Sequence, residues 1–239
     1  MCGIIAAAST RNVGKLLVQG LHKMEYRGYD SAGIALHQES SIAHLRTVGK
    51  VQLLEDKMIA EKPKSKLGIA HTRWATHGEP SEVNAHPHKS KDSVYIVHNG
   101  IIENYIELRE SLTNDGYEFT SQTDSELIAH MLDYFINQDN SMIDAMYLAK
   151  EKLDGAYAIA AIDLNNNSNL VVARNKSPLL LGLGTDEMFA ASDPLAIAQL
   201  TNDFIFLEDG DVASISAEEY KIYDASKEEV SRDVTHIDI

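Results

Sequence analysis

The chain opens with Met1-Cys2-Gly3-Ile4-Ile5-Ala6-Ala7-Ala8. The run from Cys2 to Ala8 is short, continuous and apolar, and it predicts a buried strand. Its cysteine directly follows the initiator methionine. If Met1 is removed, Cys2 carries a free α-amine beside its thiol, which an interior cysteine cannot do. Cys2 also fits a small buried hydrophobic side chain, so the residue alone does not identify a site.

An N-terminal cysteine can combine a nucleophile and a base in one residue. A thiol attacks as the thiolate, and an unperturbed cysteine has a pKa of about 8.5. A free α-amine titrates at about 7.7–8.0, so much of it is available as a base near neutral pH. Such a residue replaces the separate histidine of a catalytic triad.

The sequence predicts helices and short strands over most of the chain, with the strands grouped in blocks. Apolar residues at helical spacing predict six helices: Val13–Met24, Val51–Lys62, Glu103–Asp115, Asp124–Asn137, Ser141–Leu153 and Pro194–Leu200. β-prone runs predict strands throughout the chain: Ser31–Leu36, Ile42–Val48, Lys66–Thr72, Ser93–His98, Ala156–Leu164, Leu170–Arg174, Leu179–Leu183, Met188–Ala191, Phe204–Phe206, Val212–Ile215 and Tyr220–Tyr223. Strands in blocks, without strict βαβ alternation, favour an α+β layered fold with largely antiparallel sheets.

Length and charge narrow the functional classes. The 239 residues contain no repeat or low-complexity linker, so we expect one domain over residues 1–239. The formal charge of −15 disfavours a nucleic-acid partner, which needs clustered Lys and Arg, and an anionic membrane surface. No apolar run reaches the ~18 residues of a membrane helix, and no signal peptide is recognisable. The single cysteine fits a reducing compartment, so we expect a cytoplasmic protein.

Two polar stretches follow predicted strands. In His71-Thr72-Arg73-Trp74-Ala75-Thr76-His77-Gly78, Arg73 offers a planar fork for a carboxylate, Thr76 adds a hydroxyl, and Trp74 could cover a ligand. The stretch equally fits a surface loop with an aromatic anchor. In His98-Asn99-Gly100, an amide beside a glycine N–H could hold a developing oxyanion, although the spacing alone favours a simple Asn-Gly turn.

Asp124 and the histidines also leave alternatives open. Asp124 either interacts with a helix dipole or binds a substrate ammonium group. The spacing of the histidines matches no zinc pattern, because no carboxylate or thiol falls at a ligand spacing. We therefore expect no metal and no cofactor.

Taken together, the motifs resemble the glutaminase domain family of glucosamine-6-phosphate synthases (glutamine:fructose-6-phosphate amidotransferases). The similarity covers essentially all 239 residues. The motifs that carry it, in order, are Met1–Ile5, Glu25-Tyr26-Arg27-Gly28-Tyr29-Asp30-Ser31-Ala32-Gly33, His71–Pro80, Asn84-Ala85-His86-Pro87-His88, His98-Asn99-Gly100-Ile101-Ile102-Glu103-Asn104, Thr123-Asp124-Ser125-Glu126, Asn175-Lys176-Ser177-Pro178 and Ala191-Ser192-Asp193.

The resemblance implies a class II glutamine amidotransferase with the N-terminal-nucleophile hydrolase fold, an αββα sandwich of two mostly antiparallel sheets. It implies that Cys2, freed of Met1, attacks the side-chain amide of L-glutamine and forms a γ-glutamyl thioester, with its own amine as the base. Asn99 and the N–H of Gly100 would form the oxyanion hole. Hydrolysis would release glutamate and ammonia.

The substrate-binding residues are likewise implied by the resemblance. Arg73 would pair with the α-carboxylate of glutamine, with help from Thr76 and His77, and Asp124 would take its α-amine. Trp74 would lie on the loop that closes over glutamine and gate the passage of ammonia, and Arg27 would help to hold the closed arrangement.

The sequence departs from the family pattern at Ala6, where the family usually has glycine, and we expect a slight backbone shift there. The resemblance implies that complete synthases continue into two sugar-isomerase domains, which bind fructose 6-phosphate and receive the ammonia. This sequence does not contain those domains. The chain ends at Ile237-Asp238-Ile239, about where a linker would begin, so we expect either an excised domain or a stand-alone relative. We therefore expect glutaminase activity without synthase activity, and full-length members that are homodimers.

Two alternatives stay open. The glutaminase domain of a phosphoribosyl-pyrophosphate amidotransferase would share the chemistry, but those proteins typically carry His-Arg-Gly-Gln-Asp where this chain has Tyr26-Arg27-Gly28-Tyr29-Asp30. A catalytically silent glutamine-binding module would keep the pocket without turnover, and trapping with 6-diazo-5-oxo-norleucine would distinguish it.

Overall fold

The computed structural model describes residues 2–238, and it contains an eight-stranded and a seven-stranded sheet. Met1 and Ile239 lie outside the described residues, and the expected removal of Met1 concerns one of them. The strands are β1 Gly3–Ser9, β2 Ser31–His37, β3 Ile42–Val48, β4 Leu67–Arg73, β5 His88–Ser90, β6 Val94–Ile102, β7 Gly155–Asp163, β8 Asn166–Asn175, β9 Leu180–Leu183, β10 Glu187–Ala191, β11 Asp203–Phe206, β12 Val212–Ser216, β13 Tyr220–Tyr223, β14 Glu229–Val230 and β15 Val234–His236.

The two sheets are antiparallel throughout the described residues. The larger has the order β15-β11-β9-β10-β1-β4-β2-β3, and the smaller has the order β14-β13-β12-β8-β7-β6-β5. Each adjacent pair runs antiparallel. The prediction of two mostly antiparallel sheets is therefore confirmed.

Helices cover the outer face of each sheet. They are α1 Gly14–Lys23, α2 Val51–Glu61, α3 Tyr105–Asn114, α4 Glu126–Ile136 and α5 Met142–Lys150. One apolar cluster joins α1 and α2 to the larger sheet, another joins α3, α4 and α5 to the smaller sheet, and a third lies between the sheets. These layers form the predicted αββα sandwich.

Strand β1 is the central element of the larger sheet, and it is buried on both faces as predicted. Ile4 and Ala6 face the core between the sheets, while Ile5 and Ala7 face the α1 layer. The registers of β1 with β4 and with β10 are unbroken at Ala6. The methyl group of Ala6 is thus accommodated within regular strand pairing.

The helix ends agree with their sequence signals to within a few residues. Ser141 caps α5, accepting a hydrogen bond at 3.1 Å from the backbone N–H of Asp144. The helix predicted from Asp124 begins at Glu126, so Asp124 precedes it. The six-helix prediction is wrong at Pro194–Leu200, where only a 3-10 turn over Pro194–Ala196 forms, capped by Asp193.

The largest departure from the sequence interpretation concerns Asn99 and Gly100. The favoured Asn-Gly turn is wrong, because both residues lie inside β6 and pair with Ala158 and Tyr157 of β7. Sequence reading also missed three short strands, β5, β14 and β15, each with too few residues to produce a pattern.

Within residues 2–238, no helix combines the length and the apolar character that crossing a membrane requires.

Candidate active site

Strand pairing places Cys2 beside the residue that follows β4. Gly3 of β1 pairs with Thr72 of β4, so Cys2 lies level with Arg73 at the end of β4 and next to Trp74. The backbone N–H of Trp74 donates a hydrogen bond to the Cys2 Sγ at 3.3 Å. A donor at that distance favours the thiolate over the thiol.

The surroundings of Cys2 act on its pKa in opposite directions. Burial raises the pKa of the thiol above its ordinary value, while the Trp74 N–H and the positive charge of Arg73 oppose this rise. Burial is the larger effect, so the thiol keeps its proton at neutral pH. Attack on a substrate therefore needs a base beside the sulfur.

The Asn99 side chain lies against the Cys2 main chain. Its Nδ2 donates to the Cys2 carbonyl oxygen at 3.2 Å, across the interface between the two sheets. An amide nitrogen carries two N–H groups, so this contact leaves one for a ligand.

Gly100 adopts a conformation that side-chain-bearing residues rarely take, with φ at +124°. A Cβ at this position would be 1.9 Å from the carbonyl oxygen of Ala156. Both the dihedral and the close approach of β7 require glycine here. The glycine that first suggested a turn instead lets β6 continue past Asn99.

A cavity of about 690 Å³ opens beside Cys2. Its lining residues are Cys2, Arg27, Trp74, Thr76, Asn99, Gly100, Ile101, Ser177, Pro178 and Ser192. Six of the nine residues predicted for the site thus meet around one cavity. The cavity is large enough for an amino acid whose side chain has five non-hydrogen atoms, and its volume lies within the range typical of small-molecule sites.

Arg73 is buried and does not line this cavity. Its guanidinium donates to three backbone carbonyls, those of His77, Gly78 at 3.1 Å and Glu79 at 3.3 Å. These bonds use three of the five N–H groups of the arginine. Arg73 therefore organises the loop after β4 and, among the described contacts, keeps N–H groups for a carboxylate.

His77 and Asp124 also lie outside the cavity lining. Asp124 is buried and accepts a hydrogen bond at 2.8 Å from the backbone N–H of Ile102, at the end of β6. Its other oxygen is 3.8 Å from the His77 Nδ1. This carboxylate thus fixes the strand that carries Asn99 and Gly100, and its roles in ligand binding, like those of Arg73 and His77, stay predictions.

The indole of Trp74 is half-exposed and lies over Gly28. A Cβ at Gly28 would be 2.9 Å from the ring, and the φ of Gly28 is +74°. Arg27, the neighbour of Gly28, lines the cavity and forms an ion pair at 2.7 Å with Asp193. The turn at residues 26–30 thereby supports both the indole and a cationic group at the cavity rim.

No group of three or more His, Cys, Asp or Glu side chains converges to hold a metal ion in the part of the chain that the structure describes. The buried histidines beside Asn99 instead contact one another, the backbone and hydroxyl groups.

Comparison with known protein families shows which family this chain belongs to. The glutamine amidotransferase domain family matches residues 71–199, which is more than half of the sequence. The chain belongs to this family. The matched region of the glutamine amidotransferase domain includes the loop after β4, all of β6 and the segment that carries Ser192 and Asp193.

Curated relatives cover nearly the whole chain. Glutamine–fructose-6-phosphate aminotransferase (isomerizing) of Vibrio parahaemolyticus is 49% identical over 236 residues, which is 98% of this chain and 38% of that protein. The protein of the same name from Haemophilus influenzae shows the same identity and coverage. The chain spans about two fifths of the length of the curated relatives it matches.

A solved structure supports the fold. The glutamine phosphoribosylpyrophosphate amidotransferase of B. subtilis, complexed with ADP and GMP, superposes with a TM-score of 0.81 at 24% identity. The match covers 95% of this chain and 50% of that one. The αββα sandwich is thus the fold of known amidotransferases.

Three residues near the site were not identified as functional from the sequence. Ser192 accepts a hydrogen bond at 2.9 Å from the backbone N–H of Ile4, and Asp193 holds Arg27. His71 contacts the Asn99 side chain at 2.9 Å. All three lie in motifs on which the family resemblance rests, and this was the signal in the sequence that could have identified them. Their contacts could not be predicted, because the residues they contact are distant in sequence.

Proposed function

We propose that this chain hydrolyses the side-chain amide of L-glutamine to glutamate and ammonia through a γ-glutamyl thioester on Cys2. The observation that carries the proposal is the meeting of Cys2, Asn99 and Gly100 at one cavity of about 690 Å³. A nucleophilic sulfur and amide donors on one wall of a cavity are the components that acyl transfer requires.

The reaction begins with removal of the thiol proton. After Met1 is cleaved, the α-amine of Cys2 takes this proton and the sulfur attacks the amide carbon of glutamine. The free N–H of the Asn99 amide and the N–H of Gly100 hold the oxygen as it becomes negative, an effect worth ~2.7–4 kcal/mol per donor.

Collapse of the tetrahedral intermediate breaks the carbon–nitrogen bond. The Cys2 ammonium returns the proton to the leaving nitrogen, and ammonia departs. Water then attacks the thioester, and the same amine takes a proton from it. The carbon–sulfur bond breaks, glutamate is released, and the ammonium returns the proton to the sulfur, which restores the thiol. One amine therefore acts twice as a base and twice as an acid in each turnover.

Recognition of both ends of the amino acid would select glutamine. We place its α-carboxylate on Arg73, assisted by Thr76 and His77, and its α-ammonium on Asp124. Arg73 and Asp124 are buried opposite charges that act on each other electrostatically, and closure of the loop after β4 with Trp74 would complete the subsite. A site with fixed partners for both groups penalises ligands that lack either.

We further propose that residues 1–239 act as one class II domain of a longer enzyme. The ammonia would serve glucosamine 6-phosphate synthesis from fructose 6-phosphate, which isomerase domains outside this chain would bind. The names and the two-fifths coverage of the relatives support this proposal. A cytoplasmic location and a homodimeric full-length enzyme belong to the same proposal.

The phosphoribosylpyrophosphate alternative has weaker support. Its structural relative shares the fold at 24% identity, whereas the aminotransferase relatives reach 49%. A silent glutamine-binding module would keep the cavity but release no glutamate.

The experiment is a glutamate-release assay on the protein with Met1 removed, beside Cys2→Ala and Cys2→Ser. We expect the alanine variant to lose nearly all hydrolysis and the serine variant to lose most of it, because a hydroxyl is a weaker nucleophile than a thiol. Equal rates for wild type and Cys2→Ala would refute the proposal. Absence of release by all three, with glutamine still bound, would support the silent module.

A further inference from the structure

We propose that His71 is a positioning residue that fixes the orientation of the Asn99 amide, so that its N–H groups, and not its oxygen, face the reacting centre. The inference deepens the proposed function and rests on it, because it assigns how the oxyanion donor is aimed. His71 does not line the cavity and acts only through Asn99.

The backbone carbonyl of His98 determines which nitrogen of His71 carries the proton. The His71 Nε2 is 3.1 Å from the carbonyl oxygen of His98 and 2.9 Å from the Asn99 Oδ1. A carbonyl only accepts hydrogen bonds, so the His71 Nε2 must carry a proton. An N–H at that position in turn requires an oxygen, not a second donor, on the facing side of the amide.

The contact between the Asn99 side chain and Cys2 independently indicates the same orientation of the amide. The other Asn99 side-chain atom is 3.2 Å from the Cys2 carbonyl oxygen, again an acceptor. It must therefore be the nitrogen. A flipped amide would set oxygen against oxygen at Cys2 and N–H against N–H at His71, and both contacts would be lost.

The His71 ring has little freedom to change this pattern. It is fully buried, and it stacks on His86 with ring centroids 4.0 Å apart and an interplanar angle of 21°. Burial lowers the pKa of His71 to about 3, so the ring is neutral at physiological pH and has one proton to place. Its Nδ1 is buried and has no hydrogen-bond partner among the described residues, as expected of the unprotonated nitrogen.

The ring of His86 is itself held in place. Its Nδ1 accepts a hydrogen bond at 3.2 Å from the backbone N–H of His98, the residue before Asn99. Two stacked neutral imidazoles thus support successive residues of β6, one through the backbone and one through the Asn99 side chain. Among the hydrogen bonds of residues 2–238, that from His71 is the one that reaches the Asn99 Oδ1.

Glutamine and methionine form a matched pair of substitutions for His71. The Nε2 of glutamine is as many bonds from the Cα as the Nε2 of histidine, so His71→Gln keeps an N–H donor. His71→Met keeps the length and a flexible apolar shape but has no donor. Comparison of the two isolates the hydrogen bond from the loss of the ring.

We expect His71→Met to lower kcat for glutamine hydrolysis by ~10-fold or more, up to the ~10²–10³-fold cost of removing one oxyanion donor. KM should change less than threefold, on the order expected for a group that acts on the transition state only. His71→Gln should regain most of the lost kcat. Thermal unfolding of each variant, followed by circular dichroism, checks that it is folded at the assay temperature.

A double-mutant cycle with Asn99→Ala separates positioning from general support of the fold. If His71 acts through Asn99, His71→Met should lower kcat in the wild-type background but not in the Asn99→Ala background. Equal losses in both backgrounds, or no loss in either, would overturn the proposal.

Nitrogen-15 NMR of the histidine side chains in the wild-type protein gives a readout that needs neither turnover nor a stable variant. We expect the His71 signals of the Nε2–H tautomer, whereas Nδ1–H would overturn the assignment.

If processed wild type releases no glutamate, the proposed function fails, and the positioning role with it. If it releases glutamate while His71→Met keeps full kcat, only the positioning role fails.

Discussion

Replacing Gly100 by alanine puts a methyl group where β7 already lies. The new Cβ would be 1.9 Å from the Ala156 carbonyl oxygen and 3.1 Å from the Tyr157 Cα. An ordinary contact begins near 3.4 Å, so the strands would separate locally by about 1.5 Å. The φ of +124° adds backbone strain for any residue with a side chain.

The cost follows from these two effects. Backbone strain of this kind costs ~1–3 kcal/mol and overpacking another ~1–3 kcal/mol, so we expect Gly100→Ala to lower the free energy of unfolding by about 4 kcal/mol. Gly116 supplies a matched control, because its φ is +89° but no atom lies within 4 Å of an added Cβ. Gly116→Ala should therefore cost only the strain, about 2 kcal/mol.

Thermal unfolding and glutamate release test this prediction together. For a chain of this size, ~1 kcal/mol corresponds to ~2–4 °C, so the two variants should differ in Tm by about 6 °C. Gly100→Ala should also lose kcat, by ~10²–10³-fold if its N–H is displaced from the oxyanion, while Gly116→Ala keeps wild-type kcat. Equal Tm values, or a fully active Gly100→Ala, would refute the reasoning.

Three further predictions concern the rim, the buried histidines and the chain start. Asp193→Asn removes the partner of Arg27 in a mostly buried ion pair, so kcat/KM for glutamine should fall by about tenfold; an unchanged value in steady-state assays would contradict the supporting role. Burial lowers the pKa of His71 to about 3, against 6.5 for a free imidazole. The unfolded chain therefore takes up this proton first, and acidification from pH 6.5 towards 3 lowers the free energy of unfolding by up to ~1.4 kcal/mol per pH unit. Urea unfolding at pH 7, 6 and 5 should show a flatter dependence for His71→Gln, and parallel curves would contradict it. Blocking the removal of Met1 with a short N-terminal extension should lower kcat by ~10²–10⁴-fold, since the base is lost, and equal rates would exclude the α-amine.

Local patterns predicted the layers of the fold well. The stripe of Leu127, Ile128, Met131 and Leu132 indicated a helix packed on a sheet, and α4 has these side chains buried in one cluster. The all-apolar β1 indicated burial on both faces. Periodicity and apolar runs report which faces are buried, and these faces determine how layers stack.

Features that depend on a distant strand were not predictable in this way. Asn99-Gly100 has the local signature of a turn, but pairing with Ala158 and Tyr157 of β7 keeps it in a strand. Only a 3-10 turn over Pro194–Ala196 forms in place of the helix expected from Pro194. Asp193, which precedes this turn, pairs with Arg27 and accepts a hydrogen bond from the backbone N–H of Leu195.

In the candidate site, too, some features could be predicted from the sequence and others could not. Residue type and the family resemblance together predicted that Cys2, Asn99 and Gly100 belong to one site, and these residues line one cavity. Their catalytic roles stay predictions. The contact of His71 with Asn99 was not, because it joins residues 28 positions apart on different sheets. Which atom donates and which accepts in such a contact can be assigned only from the three-dimensional structure.

The reaction of Cys2 with a glutamine analogue tests the central claim most directly. The measurement is intact-mass and peptide-mapping mass spectrometry of the processed protein after incubation with 6-diazo-5-oxo-L-norleucine. We predict one adduct, located on Cys2, that excess glutamine prevents from forming and that Cys2→Ala does not acquire. An unmodified Cys2, or an adduct on another residue that glutamine does not suppress, would contradict the account.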